Sequence, residues 1–256
     1  MSPNTWPAEA IWEQVYPLLP DFTVEILPEI DSTNSELMRR ARAGQTEPTL
    51  LVAERQTAGR GRMGRVWESE PGDSLTFSLS LPMAPKDWSG LSLAVGLSLA
   101  ESLHPQVGLK WPNDLWVQER KLGGILVEAA SMGGRSQVVI GVGLNIRPRP
   151  ADGLNTAPAA LTEWRPDITA AQTLALLAAP LIRTLLDFEQ TGFAPLQVRF
   201  EARDVLKGRR VHTSDGAQGT CLGVSASGAL RLQTDAGVLH IHSSEVSVRP
   251  FAEDKP

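Results

Sequence analysis

The sequence predicts an α+β protein, with a central mixed β-sheet and helices over residues 1–206 and a small β-domain over residues 207–256. Three observations support this prediction. Amphipathic and strand-like segments alternate through the first half of the chain. Apolar, β-branched segments between residues 107 and 146 are separated by short turns, which favours antiparallel hairpins over strict β-α-β alternation. From Gly208 onward, short β-like pieces alternate with turns, as is typical of a small barrel or sandwich.

The composition limits the function classes. The chain has 256 residues, of which 42% are hydrophobic and 21% charged, enough to build a core. The net charge of −5 argues against sequence-independent nucleic-acid binding, which needs a broad basic surface. The lone Cys221 excludes an internal disulfide and a cysteine-rich zinc site, and it is predicted to be a small buried apolar residue.

The expected location is the cytoplasm. The N-terminal residues lack the positively charged start and apolar run of a signal peptide. The apolar stretch Leu174–Leu186 is interrupted by Pro180 and Arg183, so no segment is predicted to span a membrane.

The first fifty residues predict two helices separated by a strand. Trp6–Leu19 has the pattern of a short amphipathic helix ended by Pro17 and Pro20, and Val24–Ile30 suits a strand. The run Thr33-Asn34-Ser35-Glu36 has the form of a capping box, which predicts a helix that begins there and ends at Gly44.

The central part predicts most of the sheet. Leu50–Ala53 reads as a short buried strand, and the strict alternation of Leu75–Leu81 predicts a strand with one buried face. Trp88–Leu103, rich in Leu, Ala and Ser, predicts a helix. Four strand segments are then predicted at Val107–Lys110, Asp114–Val117, Gly124–Glu128 and Val138–Ile146.

The last third predicts two helices and the small β-domain. Pro148–Pro166 is an irregular connection, Ala170–Gln190 is a long helix with a leucine-rich face, and Pro195–Val205 is a shorter helix. The predicted strands of the small domain are Arg210–His212, Thr220–Val224, Leu230–Gln233 and Val238–Ile241.

The most informative segment is the loop Arg55–Arg65, which interleaves four arginines with three glycines. Glycine lets the backbone approach a ligand closely, and arginine donates to phosphate and carboxylate oxygens. The loop is therefore predicted to close on a polyanion such as a nucleotide triphosphate, the alternative being a solvated basic loop. Its spacing Gly59-x-Gly61-x-x-Gly64 matches a dinucleotide-binding fingerprint, but a strand follows where that site requires a helix, which argues against a Rossmann site.

Four more segments carry candidate site residues. Asp31–Asn34, at a helix N-terminus, can meet a polar ligand or simply cap the helix. Lys110–Asp114 places polar residues in a turn fixed by proline, which can also be purely structural. Lys121 stands at the start of an apolar strand beside a glycine pair and is either a ligand contact or a solvated lysine. In Gly141–Ile146, two glycines in a strand predict a ligand that crosses close to the backbone.

Taken jointly and in this order, these segments resemble the biotin–protein ligases, from about Asp31 to Ile146 and again in the small C-terminal barrel. The matching features are the Ser-Thr-Asn helix start, the Gln followed by the Gly-Arg-Gly-Arg-x-Gly-Arg loop, Lys-Trp-Pro-Asn-Asp, Lys-Leu-x-Gly-Ile-Leu-Val-Glu and Gly-x-Gly-x-Asn. The resemblance implies a class II synthetase-like mixed sheet with helices on one face, followed by an SH3-like barrel. It also implies that biotin and ATP form biotinyl-5′-AMP, and that a carrier lysine then takes the biotinyl group.

The resemblance also assigns site residues. Catalysis is expected from Lys121, Arg60 and Arg62, because cations offset the repulsion when a carboxylate attacks a phosphate. The biotin site is expected to comprise Ser32, Thr33, Asn34, Gln56, Arg60, Gly61, Arg62, Lys121 and Gly124. The ATP and adenylate site is expected to comprise Arg60, Arg62, Arg65, Trp67, Asn113, Lys121 and Asn145. Asp114 is the candidate metal contact, through Mg²⁺-bound phosphate.

The implied partners are biotin, ATP with Mg²⁺, and the biotin carboxyl carrier protein of acetyl-CoA carboxylase. No tightly bound metal, DNA or membrane is expected, and a weak homodimer is compatible with the resemblance. The sequence departs from the family pattern at Met63, where relatives are often basic. Only about thirty residues precede the Ser-Thr-Asn segment, too few for a winged-helix domain, so a monofunctional ligase is expected.

Three alternatives remain at this stage. A lipoate or octanoate ligase would share the catalytic fold, although the arginine loop and Lys110–Asp114 favour biotin. A non-enzymatic nucleic-acid binder would use the same loop, and the acidic net charge argues against it. A biotin sensor without catalysis would not need Lys121.

Overall fold

A computed structural model describes residues 6–132, 135–151, 153, 156–242 and 246–251. Within these residues, one mixed sheet has the strand order β1-β2-β3-β7-β6-β5-β4. Its strands are β1 (Thr23–Ile30), β2 (Thr49–Gln56), β3 (Ser74–Pro82), β4 (Gly108–Lys110), β5 (Asp114–Val117), β6 (Arg120–Met132) and β7 (Arg135–Asn145). The helices are α1 (Ala8–Val15), α2 (Thr33–Arg42), α3 (Leu91–Leu103), α4 (Ala170–Thr191) and α5 (Gln197–Glu201), with 3₁₀ turns at Arg62–Gly64, Leu161–Glu163 and Ala194–Leu196.

The pairing of the strands confirms a mixed sheet. β1 and β2 run parallel, from Thr23 opposite Thr49 to Ile30 opposite Gln56. The other neighbouring pairs are antiparallel. β6 and β7 are longer than predicted and form a hairpin that spans the middle of the sheet.

Helices cover both faces of the sheet, so the expectation of helices on one face is wrong. Leu79 on β3 packs into the main core with α3 and α4. The neighbouring Ser78 points the other way, and its hydroxyl lies 2.7 Å from Thr33 Oγ1 at the start of α2. The inner face of α2 packs there in a second apolar cluster that includes Leu37 and Val139.

This covering helix changes the environment of β3. The strand was predicted to have one buried face, but Thr76 and Ser78 on its polar face are 2% and 0% exposed. Thr76 Oγ1 donates to the carbonyl of Ala53 at 2.8 Å, so burial leaves its hydroxyl satisfied. The sequence predicted the alternation of β3 correctly, but it did not predict that the polar face of this strand is buried.

Helix ends also differ from the predictions by a few residues. The N-cap of α2 is Ser32, whose hydroxyl accepts from Ser35 N at 3.3 Å, so the predicted capping box with Glu36 is wrong. α3 begins at Leu91 because Gly90, with φ of 81°, interrupts the helical backbone after Trp88. α1 is shorter than predicted at both ends, and the segment predicted as one helix from Pro195 is a 3₁₀ turn followed by the short α5.

The C-terminal part forms a separate antiparallel sheet with the strand order β11-β10-β9-β8-β12. Its strands are β8 (Arg210–Thr213), β9 (Gln218–Val224), β10 (Leu230–Thr234), β11 (Gly237–Ile241) and β12 (Val248–Pro250), of which β12 was not predicted. Cys221 is 0% exposed, which confirms the prediction of a buried thiol.

One apolar core joins the two sheets. The same cluster of buried side chains contains Leu79 of β3 and Leu230 of β10. Trp111 Nε1 donates to the carbonyl of Gly228 at 3.0 Å, which ties the β4–β5 turn to the small sheet. The division into domains near Lys207 therefore stays a prediction.

The long apolar helix α4 belongs to this core. In the described part of the chain it is the one helix long and apolar enough, by length and composition alone, to cross a membrane. Leu174, Leu177 and Leu181 are at most 1% exposed and pack against the rest of the core. Packing within the core therefore explains the apolar face of α4.

Candidate active site

A cavity of about 610 Å³ opens between the start of α2, the arginine loop, β5, β6 and β12. Every residue predicted for the site lines it: Ser32, Thr33, Asn34, Gln56, Arg60, Gly61, Arg62, Arg65, Trp67, Asn113, Asp114, Lys121, Gly124 and Asn145. The fold therefore brings together segments that are up to about 110 positions apart in the chain.

The polar end of the cavity is a hydrogen-bonded network at the start of α2. Gln56 Oε1 accepts from Thr33 N at 2.8 Å and from Thr33 Oγ1 at 3.1 Å. Ser78 Oγ donates to Asn34 Oδ1 at 2.9 Å, and Asn34 Nδ2 donates to Glu128 Oε2 at 2.7 Å. These contacts hold the side-chain amides of Gln56 and Asn34 in place.

The sequence reasoning missed Ser78 and Glu128. Ser78 could have been found, because the alternation of β3 places it on a polar face beside Thr76. Glu128 closes the Lys-Leu-x-Gly-Ile-Leu-Val-Glu segment, but its partners Asn34 and Arg60 are remote in sequence.

The arginine loop is folded over the cavity by its own backbone. Gly61 N donates to the carbonyl of Arg65 at 2.7 Å, and Trp67 N donates to that of Gly59 at 2.9 Å. A side chain at Gly59 would bring its Cβ within 2.2 Å of the carbonyl oxygen of Trp67, so the close approach there requires glycine.

Two loop arginines reach across the cavity to the sheet. Arg60 Nη2 donates to Glu128 Oε1 at 2.5 Å, and Arg62 Nη1 donates to Asn113 Oδ1 at 3.1 Å. Burial lowers the pKa of Arg62, and the nearby carboxylate of Asp114 opposes that shift. The cationic loop is thus already positioned against β5 and β6.

Opposite the loop, two lysines share one carboxylate. Lys121 Nζ lies 2.6 Å from Asp114 Oδ1, while Lys110 Nζ lies 4.0 Å from Asp114 Oδ2. Lys110 was absent from the predicted site residues, yet it lines the cavity and is 8% exposed. Burial lowers its pKa to about 8, with Asp114 opposing the shift.

The glycines of β7 make room for other site residues. A Cβ at Gly143 would lie 2.3 Å from the Trp67 ring, and one at Gly141 would lie 2.5 Å from Asn34 Oδ1. The sequence predicted a ligand close to the backbone at these glycines. In the structure, the side chains of Trp67 and Asn34 fill the space beside them.

Three buried polar atoms of cavity-lining residues lack partners among the residues that the structure describes. They are Trp67 Nε1, Trp116 Nε1 and Asn145 Oδ1. Asn145 Nδ2 is held by the carbonyls of Lys121 at 3.2 Å and Ala159 at 3.0 Å, so its side chain is fixed and Oδ1 is left without a donor. Buried polar atoms without partners are uncommon in proteins, so they mark this region as a candidate contact for a polar ligand.

A pre-built metal site is not evident in the described residues, which contain no group of three His, Cys, Asp or Glu side chains placed to hold an ion. The candidate contact Asp114 is paired with Lys121. A single carboxylate is nevertheless sufficient for an ion that arrives bound to phosphate oxygens.

Comparison with known proteins agrees with this architecture. Residues 26–145 match the model of the biotin/lipoate A/B protein ligase family, and residues 208–249 match that of the biotin protein ligase C-terminal domain. The bifunctional ligase/repressor BirA of Escherichia coli is 36% identical over 250 residues, which cover 93% of this chain and 77% of the relative. The biotin--[acetyl-CoA-carboxylase] ligase of Paracoccus denitrificans is 31% identical over 240 residues, covering 86% and 98%.

A solved structure extends the likeness to three dimensions. The biotin protein ligase from Aquifex aeolicus, determined in complex with biotin and ATP, superposes with a TM-score of 0.76 at 30% identity, covering 89% of this chain and 99% of that one. On these sequence and structural similarities, the chain belongs to the biotin/lipoate A/B protein ligase family.

Proposed function

We propose that the protein is an ATP-dependent biotin–protein ligase, which makes biotinyl-5′-AMP and transfers the biotinyl group to a lysine of a biotin carboxyl carrier protein. The observation that carries the proposal is the single cavity in which the polar network of α2, the arginine loop and Lys121 meet. Relatives at 31% and 36% identity carry ligase names, and a similar structure holds biotin and ATP.

The polar network would receive the ring of biotin. Thr33, Asn34 and Gln56 carry the hydrogen-bonding groups, and Ser32 sits beside them at the helix start. Buried polar groups that are already oriented select a ligand by hydrogen bonding at little cost in ordering.

The first step joins two anions. A carboxylate oxygen of biotin attacks the α-phosphorus, the bond from that phosphorus to the β-phosphate oxygen breaks, and pyrophosphate leaves with the electron pair. Lys121 would bridge the carboxylate and the α-phosphate, and Arg60 and Arg62 would offset the remaining charge. Gly61 and Gly124 have no side chains and would let the ligand approach the protein backbone. A Cβ at Gly124 would lie 3.3 Å from Lys121 Nζ.

The nucleotide would occupy the other half of the cavity. Trp67 offers a ring face and an N–H, and Asn145 offers its unpaired carbonyl oxygen. Arg65 and Asn113 would contact phosphates, and Mg²⁺ would enter with ATP as part of the substrate, with Asp114 as its protein contact.

In the second step, the amine of the carrier lysine attacks the biotinyl carbonyl, loses a proton and displaces AMP. The closed loop would shield the mixed anhydride from water until then. We propose a cytoplasmic location, where ATP and the carboxylase carrier are available, without DNA or membrane as a partner.

The experiment that tests the function is to incubate the protein with ATP, Mg²⁺, biotin and a carrier domain, and to look for the mass of biotin on the carrier. Replacing biotin by lipoate or octanoate separates the alternative ligase. Labelling from lipoate but not from biotin would refute the proposal, and omission of ATP is the control.

A further inference from the structure

Glu128, on β6, connects two parts of the active site although it does not line the cavity itself. Its Oε2 accepts from Asn34 Nδ2 at 2.7 Å, and its Oε1 accepts from Arg60 Nη2 at 2.5 Å. Asn34 belongs to the polar network at the start of α2, and Arg60 belongs to the arginine loop. The two partners lie 94 and 68 positions from Glu128 in the chain. None of the proposed reaction steps uses this carboxylate.

The carboxylate determines which way the amide of Asn34 points. An ionised carboxylate only accepts hydrogen bonds, so the NH₂ group of Asn34 has to face Glu128 and Oδ1 has to face away from it. Oδ1 then accepts from Ser78 Oγ at 2.9 Å. The hydroxyl of Ser78 has one proton, so at 2.7 Å it acts as the acceptor for Thr33 Oγ1. The direction of these hydrogen bonds, as far as Thr33, therefore follows from Glu128.

Burial makes this orientation important. Asn34 and Thr33 are each 3% exposed and Ser78 is 0% exposed, so water does not readily replace a lost partner. A buried network of this kind is rigid only when every member is satisfied. Loss of Glu128 would leave Asn34 Nδ2 without its acceptor at the polar end of the cavity.

The same carboxylate holds the arginine loop against the sheet. Backbone hydrogen bonds close the loop upon itself. The contact of Arg60 with Glu128 instead attaches it to β6. A second contact, of Arg62 with Asn113, attaches it to the β4–β5 turn. Without the first contact, the loop would keep its internal hydrogen bonds and be held less firmly over the cavity.

We propose that Glu128 is a positioning residue, which orients Asn34 for the biotin ring and latches the arginine loop over bound biotinyl-5′-AMP. This inference rests on the proposed ligase reaction. Asn34 holds the carboxylate where Arg60 can reach it, so the biotin pocket and the closed loop support each other. Glu128 acts through these two residues and touches no reacting atom. Its main effect is on the time for which the reactive anhydride stays in the cavity.

Glu128→Gln tests the latch, because it keeps the size of the side chain and an acceptor for Asn34 but removes the charge that holds Arg60. The protein would be loaded with radiolabelled biotinyl-5′-AMP and mixed with an excess of the unlabelled compound, and release of the label would be measured. Release should be about ten-fold faster in Glu128→Gln, because a charge-assisted hydrogen bond is lost at a partly exposed arginine. The affinity for free biotin should change less than the release rate.

Glu128→Leu tests the orientation of Asn34, because leucine offers no acceptor. Its release of biotinyl-5′-AMP should be at least as fast as in Glu128→Gln, and its affinity for free biotin, measured by isothermal titration, should fall clearly below that of Glu128→Gln.

Glu101→Gln is the matched control. Glu101 pairs with Arg199, their side chains are 32% and 57% exposed, and neither residue lines the cavity. The corresponding values for Glu128 and Arg60 are 25% and 45%, so the two glutamine variants should unfold at similar urea concentrations. With biotinyl-5′-AMP bound, trypsin should cut the loop at Arg60–Arg65 faster in Glu128→Gln than in Glu101→Gln.

The outcomes separate this inference from the function on which it rests. If the unmodified protein neither forms nor holds biotinyl-5′-AMP, the proposed reaction itself fails. If it does, and release from Glu128→Gln is unchanged, the latch is overturned, and Glu128→Leu gives the same test should Glu128→Gln not fold. Equally fast release from Glu101→Gln would also overturn it, because the effect would then be one of general stability. Unchanged biotin affinity in Glu128→Leu would overturn the role in orienting Asn34.

Discussion

Lys121 and Asp114 form a close ion pair at the centre of the cavity. Their side chains are 29% and 15% exposed, so solvent weakens the attraction only in part. The pair holds the ammonium beside Gly124, where the proposed reaction brings the biotin carboxylate and the α-phosphate together.

Lys121→Ala should nearly abolish adenylate formation and leave the fold intact. Loss of one group that stabilises transition-state charge lowers rates on the order of 10²–10³-fold. Pyrophosphate release in the presence of biotin and ATP measures the effect. Arg120→Ala is the neighbouring control, because Arg120 pairs with Glu163 and does not line the cavity. Near-normal release by Lys121→Ala would show that the assignment is wrong.

The buried ammonium of Lys110, a residue that lines the cavity, lowers the stability of the folded protein. Its pKa falls from the ordinary 10.5 to about 8, mainly because burial penalises the ammonium. Between pH 8 and 10.5 the unfolded chain binds more protons than the folded one, so this group makes the free energy of unfolding rise with pH over that window. Below pH 8, burial of the Lys110 ammonium lowers the free energy of unfolding by its full amount, roughly 3 kcal/mol.

Lys110→Met should therefore stabilise the free protein at pH 7, by up to about 3 kcal/mol, because it keeps the apolar stem and removes the buried charge. Urea unfolding at pH 7 and pH 10 measures this effect, and the difference between the variant and the unmodified protein should shrink at pH 10. A variant that is less stable at pH 7 would contradict the argument.

At the scale of elements, the arginine loop and β7 shape the cavity from opposite sides. The loop is closed by backbone hydrogen bonds and by the contact of Arg60 with Glu128 on β6. β7 contributes mainly space, because its two glycines face the side chains of Asn34 and Trp67.

Replacing each of the two β7 glycines by alanine should weaken the binding of a different ligand. In Gly141→Ala the new Cβ would displace Asn34, which should weaken biotin binding. In Gly143→Ala it would displace the Trp67 ring, which should weaken nucleotide binding more than biotin binding. Isothermal titration with biotin and with ATP measures both, and each variant is the control for the other. Equal losses of both ligands in both variants would argue against this division of the cavity.

At the scale of the whole molecule, the small C-terminal sheet is part of the common core. Its residues Val211, Cys221 and Leu230 belong to the same buried cluster as the central sheet. It also reaches the cavity, because Val248 and Arg249 of β12 line it. We therefore expect the two sheets to unfold together.

Cys221 reports on this cooperativity. Burial raises the pKa of its thiol to about 12, so a thiol reagent should react with the native protein very slowly. In urea, the reaction should appear together with the loss of the circular dichroism signal, as for a single cooperative transition. Complete labelling of Cys221 while the helical signal persists would show that the C-terminal sheet opens alone.

The sequence by itself determined the mixed sheet, the C-terminal sheet and the candidate set of site residues. Hydrophobic periodicity depends on residues near one another in the chain, so strands such as β1 and β5 and the helix α4 followed directly from it. The Arg/Gly loop and Lys121 could be proposed for the same reason, since each carries its chemistry in a short run of residues.

Only the tertiary structure decided which polar residues are buried and what they contact. Thr76 and Ser78 alternate with apolar residues as an exposed face would, and it is the packing of α2 that buries them. The unpaired N–H of Trp116 beside Lys110 emerged only when β4, β5 and β12 met at one cavity. Burial and hydrogen-bond partners depend on elements distant in the chain, which local patterns of residues do not encode.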